Sequence, residues 1–427
     1  MILTVFPPQS LKGIVNLPSS KSYSIRAFLI AACGNTSTII HPSNCDDATV
    51  AMNIARQLGC VIKHDHHRRV IKANAQNKRM AIFNVGESGT VLRFLLPLLA
   101  LRGKRVKVIG EGTLKTRPNA FLISALKGMG CKIYGQGKKH TVPIVINGGR
   151  LQCGEIRIDG SLSSQFISAL LMACPLLEGD SRLIIKGKNI VSATYIVMTR
   201  QILKKAGIQI QALSPKSFLI KGNQKYKGLK NFVIPSDYGL AAFLLAAGAL
   251  IPSKIVLKGH LKDDLVQADG AMMGFLKRLG VGFEKTNTQI SLQGPYDLKG
   301  GTFSLKDCPD LVPIMAVLSL FAKGKTTLGD ISHARVKESN RISDLRKELE
   351  KVGAVIKERK GSMTLFPQPD YRKNIVLDPH HDHRLAMAFA ILGLKLGVRI
   401  KDIECTAKSY PDFVSDLKKI GVYFSQS

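Results

Sequence analysis

Side chains that could do chemistry, with cations and hydroxyls able to bind anions and carboxylates beside them, collect at a few recurring places in the 427-residue chain. Lys21, Ser22 and Arg26 open one apolar run, Ser88, Gly89, Thr90 and Arg93 a second, and Ser163, Ser164 and Gln165 a third. Asp237 opens the fourth, Asp307 and Asp310 precede the fifth, and Asp382, His383 and Arg384 open the sixth. Between these runs stand Arg117, Ser192 with Tyr195, Lys337-Glu338 with Arg341, and Lys408. Forked guanidinium groups, hydroxyls and the Gln amide are the groups that bind several phosphate and carboxylate oxygens at once. Any one of them reads equally well as a helix cap or a surface charge. Their recurrence at equivalent positions is what argues for a shared role.

The elements that must position them are six copies of one unit. Each copy has a polar or glycine start, an apolar run of helix length rich in Ala and Leu, a turn, and a short β-branched strand. SKSYSIRAFLIAACGNTSTII and DYGLAAFLLAAGALIPSKIVLKG are two examples, and the starts are roughly 70 to 75 residues apart. That period is too long for a solenoid and suits a βαβαββ unit. A second helix follows in each copy and ends in Gly before an apolar residue. In SNRISDLRKELEKVG, Ile342, Leu345, Leu349 and Val352 recur at helical spacing and Gly353 supplies the C-terminal cap. The first helices are apolar nearly all round, which predicts burial.

Six copies divide into two similar α/β (α+β) domains of three repeats, with buried parallel helices and mixed sheets. The expected boundaries are 19–236 for repeats one to three and 1–18 plus 237–427 for repeats four to six, with Pro235 and the Lys-rich KGNQKYKGLKN as the connection. If equivalent repeats pack alike, the N-termini of the buried helices converge on a cleft between the domains. Their unsatisfied N–H groups and partial positive charge make that cleft an anion site.

Composition narrows the class. Hydrophobic residues make up 45% and aromatics 6%, with no Trp, which excludes a disordered chain. Lys and Arg total 62 against 30 Asp and Glu, a net charge of +32, so an anionic partner is expected. There is no basic tail or recognition motif for nucleic acid, no secretory pattern in Met1 to Pro8, and no apolar stretch of membrane-spanning length. A cytoplasmic location follows. The eight cysteines form no CxxC pair, and Cys60 and Cys131 read as small core residues in a reducing compartment.

Competing motifs fail. Gly324-Lys325-Thr326 lacks the earlier Gly of a P-loop and runs from helix to strand. Gly110-Glu111-Gly112 has Lys115 where a dinucleotide fingerprint needs Gly. The groups His64/His66/His67 and His380/His381/His383 show no convincing metal spacing.

From Leu17 to the C-terminus the chain resembles the 5-enolpyruvylshikimate-3-phosphate synthase family, the 3-phosphoshikimate 1-carboxyvinyltransferases. Nine motifs in order carry the resemblance: LPSSKSYSIR, GESGTVLRFL, TRPNAFL, GSLSSQF, SATYIVMT, DCPDLVPIMAV, RVKESNRI, DHRLAMA and CTAKSYPDF. It implies the enolpyruvyl transferase fold, an inside-out α/β barrel-like pair of domains in a monomer with the active site in the cleft. The implied reaction moves the enolpyruvyl group of phosphoenolpyruvate to the 5-hydroxyl of shikimate 3-phosphate by addition and elimination. Phosphate is released, in the sixth step of the shikimate pathway. The two small molecules are the implied partners, with no metal, organic cofactor, nucleic acid or membrane.

By the same resemblance, Lys21 touches both substrates. Ser22, Arg26, Ser163, Ser164, Gln165, Ser192, Tyr195, Asp310, His333 and Lys337 belong to the shikimate 3-phosphate site. Gly89, Arg117, Arg341, Arg384 and Lys408 form the phosphoenolpyruvate clamp, with Gln165 shared. Asp310 deprotonates the 5-hydroxyl, Glu338 handles the proton at the methylene carbon, and Lys337 and His383 support them. Such an arrangement suits the chemistry, since two substrates that each carry a phosphate and a carboxylate need fixed cations and a cationic transition state needs nearby carboxylates. Three departures stand out. Glu87 replaces a frequent Asn, His333 replaces an Asn that contacts the shikimate phosphate in some members, and Ile25 and Asn340 replace frequent Asn and Asp. The rival readings are the related transferase acting on a UDP-N-acetylglucosamine and an RNA-end-processing or RNA-binding protein built from related repeats. Lys21-Ser22 in place of Lys-Asn, and a loop from Gly110 to Asn119 without Cys, argue against the first.

Overall fold

A helix with no polar face has to be covered on every side, and that requirement organises this chain. In the computed structural model, which describes residues 2–73, 81–187 and 189–426, the chain forms two units, Ser19–Ile234, and Met1–Pro18 with Pro235–Ser427. The 19–234 unit contains the apolar helices Lys21–Ala31 (α1), Gly89–Ala100 (α3) and Ser164–Ala173 (α5). Each is followed by a helix that is buried on one side only: Asp46–Gln57 (α2), Ala120–Gly128 (α4) and Thr194–Lys205 (α6). In the other unit the apolar helices are Tyr238–Leu250 (α7), Val312–Leu320 (α9) and His383–Leu396 (α11). Their companions are Ala271–Leu279 (α8), Ser343–Lys351 (α10) and Phe413–Lys419 (α12). All thirteen residues of α7 are buried, so the helix can only lie at the centre of its unit. At Gly248 a Cβ would come within 2.7 Å of Ile255 and Leu292, so glycine sets how closely α7 meets its own sheet.

The described strands form six four-stranded sheets with one pattern. In the third repeat, Gly154–Asp159 runs parallel to Ser181–Lys186. That strand pairs antiparallel with Ser217–Ile220, and the latter antiparallel with Gln211–Ser214. The parallel pair requires a crossover, which α5 supplies. The N-terminal strands complete sheets whose other strands all come from residues after 250. Ile2–Phe6 lies between Arg399–Lys401 and Tyr423–Gln426, and Leu11–Asn16 runs parallel to Ser253–Lys258. Phe232–Val233 in turn runs parallel to Ser37–Ile40. The chain therefore passes between units after the first strand of a repeat and before its first helix.

The Lys-rich stretch before Pro235 is more than a connection. Tyr226 is buried in the 19–234 unit and its hydroxyl donates to the Met172 carbonyl at 2.6 Å. In α10, Leu345 and Leu349 are buried, as are the flanking Ile342 and Val352, and Gly353 follows at φ 92°. Cys60 and Cys131 are buried, while Cys153 is exposed. Among the described residues no helix is long and apolar enough to cross a membrane.

Candidate active site

Each apolar helix of the 19–234 unit begins at a serine. Ser20, Ser88 and Ser163 cap α1, α3 and α5, accepting from Tyr23, Val91 and Gln165 backbone N–H groups at 3.5, 3.4 and 3.3 Å. A neutral cap satisfies a donor without cancelling the partial positive charge of the helix end, so these ends remain attractive to anions. In the other unit the caps of α7 and α11 are Asp237 and Asp382. Those helix ends are already matched by carboxylates, so the positive charge in this unit's cluster comes from side chains.

In the 19–234 unit the predicted residues form linked groups. Arg26 is 1% exposed, its Nη1 donating to the Ser22 carbonyl and its Nε to Thr199 Oγ1, both at 2.9 Å. The guanidinium lies 5.0 Å from the centre of the Phe94 ring and 5.9 Å from that of Tyr195. Burial lowers its pKa to about 10, against the opposing effect of Tyr195 and Tyr23, and it remains a cation at neutral pH. Its Nη2 makes no hydrogen bond to a described residue, which leaves that amino group for a ligand. Gln165 is held at both ends, accepting from Arg93 Nη1 at 2.6 Å and donating to Thr90 Oγ1 at 2.9 Å. Arg93 is itself fixed by Asn119 Oδ1 and the Pro118 carbonyl, both at 3.3 Å. Arg117 lies against the first turn of α3, where a Cβ on Gly89 would come within 2.8 Å of its Nη1. Lys21 Nζ stands 3.1 Å from Asp47 Oδ2 at the start of α2. Ser164 is buried, as is Ser192, which is held at φ 54° just before α6.

In the other unit the predicted residues converge on Arg341, which is 1% exposed. Its Nη1 donates to Asp310 Oδ1 at 2.7 Å, its Nη2 to Glu338 Oε2 at 2.9 Å, and its Nε and Nη2 to Asp382 at 2.7 and 3.2 Å. Arg384 Nη2 reaches Asp310 Oδ2 at 3.4 Å and its Nη1 donates to the Gly239 carbonyl at 2.6 Å. Lys337 Nζ is 3.9 Å from Asp310, and His383 Nδ1 is 3.9 Å from Asp382. Burial alone would raise the pKa of Asp310, but Arg341, Lys337 and Arg384 together outweigh it and hold the group well below the usual carboxylate range. Three cations thus face three carboxylates, and several donor edges of the cations are spent on carboxylate oxygens.

His333 lies beside this cluster. It is 3% exposed with neither ring nitrogen hydrogen-bonded among the described residues, and burial with Lys337 lowers its pKa to about 3. Lys408 is buried at the end of the 3-10 turn Ile403–Lys408, which packs on α11. The other histidines do not converge. His380 faces Glu348 at 3.4 Å, His381 faces Asp402 at 2.6 Å, and His67 packs on His41.

Sequence reasoning did not assign three carboxylates to the site. Asp47 was legible only as the acidic start of a helix, Asp382 only as a cap, and Asp269 not at all, since nothing in QADGAMM marks it. The structure brings Asp382 to Arg341, Asp47 to Lys21, and Asp269 to Gly239 at the start of α7.

Comparison with known proteins agrees over the full length. Residues 5–417 match the family model described as EPSP synthase (3-phosphoshikimate 1-carboxyvinyltransferase). The chain is 35% identical to the 3-phosphoshikimate 1-carboxyvinyltransferases of Methanococcus maripaludis (98% of this chain, 99% of the relative) and Methanocaldococcus jannaschii (98% of each). Among solved structures, it is similar in fold to EPSP synthase from Acinetobacter baumannii, with a TM-score of 0.80 at 23% identity over 100% of both chains. The enolpyruvyl transferase NikO from Streptomyces tendae also gives a TM-score of 0.80, at 18% identity over 100% of this chain and 98% of that one.

Proposed function

The chain belongs to the EPSP synthase (3-phosphoshikimate 1-carboxyvinyltransferase) family, and from that premise we propose that its two clusters work on one pair of substrates, shikimate 3-phosphate and phosphoenolpyruvate. The reaction joins the 5-hydroxyl oxygen of shikimate 3-phosphate to C2 of phosphoenolpyruvate while C3 gains a proton. The C2–O bond to phosphate then breaks, C3 loses a proton, and a carboxyvinyl ether and inorganic phosphate leave. The observation that carries the reading is Arg341, whose one guanidinium holds Asp310, Glu338 and Asp382.

In this reading Lys21 meets both substrates. Ser22, Arg26, Ser163, Ser164, Gln165, Ser192 and Tyr195 hold shikimate 3-phosphate, with His333, Lys337 and Asp310 from the other cluster. Gly89, Arg117, Arg341, Arg384 and Lys408 hold phosphoenolpyruvate, with Gln165 shared. The caps at Ser20, Ser88 and Ser163 support this division, because anions gain most where a helix end is not already neutralised. Arg26 Nη2 supports it as a charged donor whose other nitrogens are fixed. His333, with two ring nitrogens unpartnered among the described residues, can donate to a phosphate oxygen from its neutral form.

Asp310 takes the 5-hydroxyl proton and Glu338 serves C3, with Lys337 and His383 beside them. Without substrate, Asp310 is a weak base because Arg341, Lys337 and Arg384 stabilise its anion. When substrate anions draw Arg341 and Arg384 toward themselves, that stabilisation falls and Asp310 becomes more basic where the hydroxyl arrives. The carboxylates that remain around Arg341 then face the cationic charge that develops at C2, which is transition-state stabilisation by fixed charge. On the same family reading, the enzyme is a cytoplasmic monomer without metal or organic cofactor.

The deciding experiment is phosphate release on mixing the protein with both substrates, with the product identified by mass. Release that depends on both substrates and yields the carboxyvinyl ether supports the reading. A folded protein that leaves both intact refutes it, and UDP-N-acetylglucosamine is then the next acceptor to try.

A further inference from the structure

A buried carboxyl without a partner is costly, because burial removes the water that stabilises its charge and nothing replaces it. Asp269, in the turn Ala268–Gly270 before α8, is a buried carboxyl with one oxygen left unpartnered among the described residues. It is 5% exposed, and its Oδ1 has no hydrogen-bond partner among the described residues. Its Oδ2 lies so close to Gly239 that a Cβ there would overlap it, and Arg384 Nη1 lies 3.1 Å from that same point. The carboxyl therefore sits on the first turn of α7, beside a guanidinium it does not bind. The groups facing it are Asp237 from the α7 cap, Cys308 and Asp310 from the approach to α9, Lys337 from the approach to α10, and Arg384 from α11. The cluster of Arg341, Lys337 and Arg384 with Asp310, Glu338 and Asp382 is already balanced in charge without Asp269. An ionised Asp269 would add negative charge beside Arg384, where a donor carrying both a carboxylate and a phosphate has to bind.

We propose that Asp269 is a proton-linked positioning residue for the donor: it is protonated when the phosphoenolpyruvate anion occupies Arg384, so that donor binding takes up a proton at this carboxyl. The inference rests on the reading above that Arg384 grips the donor. Burial, then Asp310, raises the Asp269 pKa to about 7 against the pull of Arg384, so the group is about half protonated at neutral pH before any ligand arrives. A bound anion adds negative charge beside it and raises the pKa further. By linkage, the protonated form then binds the donor more tightly, and affinity falls as pH rises above about 7. The phosphate of the donor has its own second pKa near about 6, below that window.

The test is the KM for phosphoenolpyruvate between pH 6.5 and 8.5 at saturating shikimate 3-phosphate, in wild type and in Asp269→Asn, which cannot ionise. Wild-type KM is expected to rise about tenfold from pH 7 to 8.5, one and a half units above the free pKa. In the variant the rise should shrink to about threefold or less. A wild type whose KM does not rise, or a variant that keeps the full rise, overturns the proposal. Should Asp269→Asn not fold, calorimetry of the wild type with phosphoenolpyruvate at pH 7.5 in two buffers of different ionisation enthalpy decides. Net proton uptake supports the proposal, and none, or release, overturns it. Arg384→Gln separates the two readings. An unchanged donor KM there refutes Arg384 as the clamp and this inference with it. A raised KM beside an unmoved Asp269→Asn profile refutes this inference alone.

Discussion

Replacing Asp382 by Asn tests whether Arg341 is held in place by that buried carboxylate. Asp382 is fully buried, accepts from Arg341 Nε at 2.7 Å and Nη2 at 3.2 Å and from the Ser339 hydroxyl at 3.0 Å, and caps α11 through Arg384 N–H at 2.9 Å. Asn caps a helix about as well as Asp, so the substitution removes the charge and one acceptor while leaving the cap. Breaking one side of a buried ion pair costs about 3–5 kcal/mol. Here Arg341 keeps Asp310 and Glu338, which brings the loss to or below the bottom of that range, about 2–3 kcal/mol. For a unit of about 200 residues that is a fall of about 5–10 °C in Tm. Calorimetric unfolding of wild type, Asp382→Asn, Arg341→Met and the double variant measures both the loss and the coupling. The pair predicts a coupling of at least about 1 kcal/mol, because once Arg341 is gone the carboxylate has less to lose. A single variant within 1 kcal/mol of wild type, with additive costs in the cycle, would refute the assignment of Asp382 as the anchor.

Other outcomes follow from the same geometry. Asp310→Ala and Glu338→Ala should each lose on the order of 10²-fold or more in kcat with the fold intact, and near-normal turnover in either purified protein removes that residue from its role. Gly89→Ala places a Cβ 2.8 Å from Arg117 Nη1, so the guanidinium must give way. Since the clash is with the far end of a flexible side chain and not with backbone, stability should hold within about 1 kcal/mol while the KM for phosphoenolpyruvate rises about tenfold, and an unchanged KM would separate Arg117 from the donor. Glu358 is held by Ser343 Oγ and Arg346 Nε at 2.7 Å each and by Arg335 Nη1 at 2.7 Å; burial opposes ionisation, yet these bonds lower its pKa to about 2. A folded pKa below the unfolded one means this stability, up to about 3 kcal/mol, is present above about pH 4.5 and lost as pH falls toward 2. Glu358→Gln should therefore unfold earlier than wild type at pH 7, and the gap should close near pH 2–3 in matched thermal scans; a gap independent of pH would contradict the cause given.

The architecture was readable from local patterns. Helices such as DYGLAAFLLAAGAL announce their burial because no face is polar, and Ser20, Ser88, Ser163, Asp237 and Asp382 announce the helix starts they cap. Capping and amphipathicity act over three or four residues, so one chain segment contains all the information they need. Arg341, Asp310, Glu338 and Arg384 were legible as candidate site residues for a different reason, because the motifs that carry them match a family in order. What no segment contains is the partner of a buried charge. Arg341 finds Asp382 41 residues away and Arg384 finds the Gly239 carbonyl 145 residues away, and these pairings exist only once the repeats have packed. The same is true of Tyr226, a residue of a Lys-rich connection that becomes core by reaching Met172. Asp269 is the clearest case. Nothing in its sequence neighbourhood marks it, and only the close approach of α7 at Gly239 strips its water and sets it beside Arg384. Desolvation and charge proximity depend on distance in space, and that is why the sequence could locate the cations of this site while tertiary packing alone decided which carboxylates restrain them.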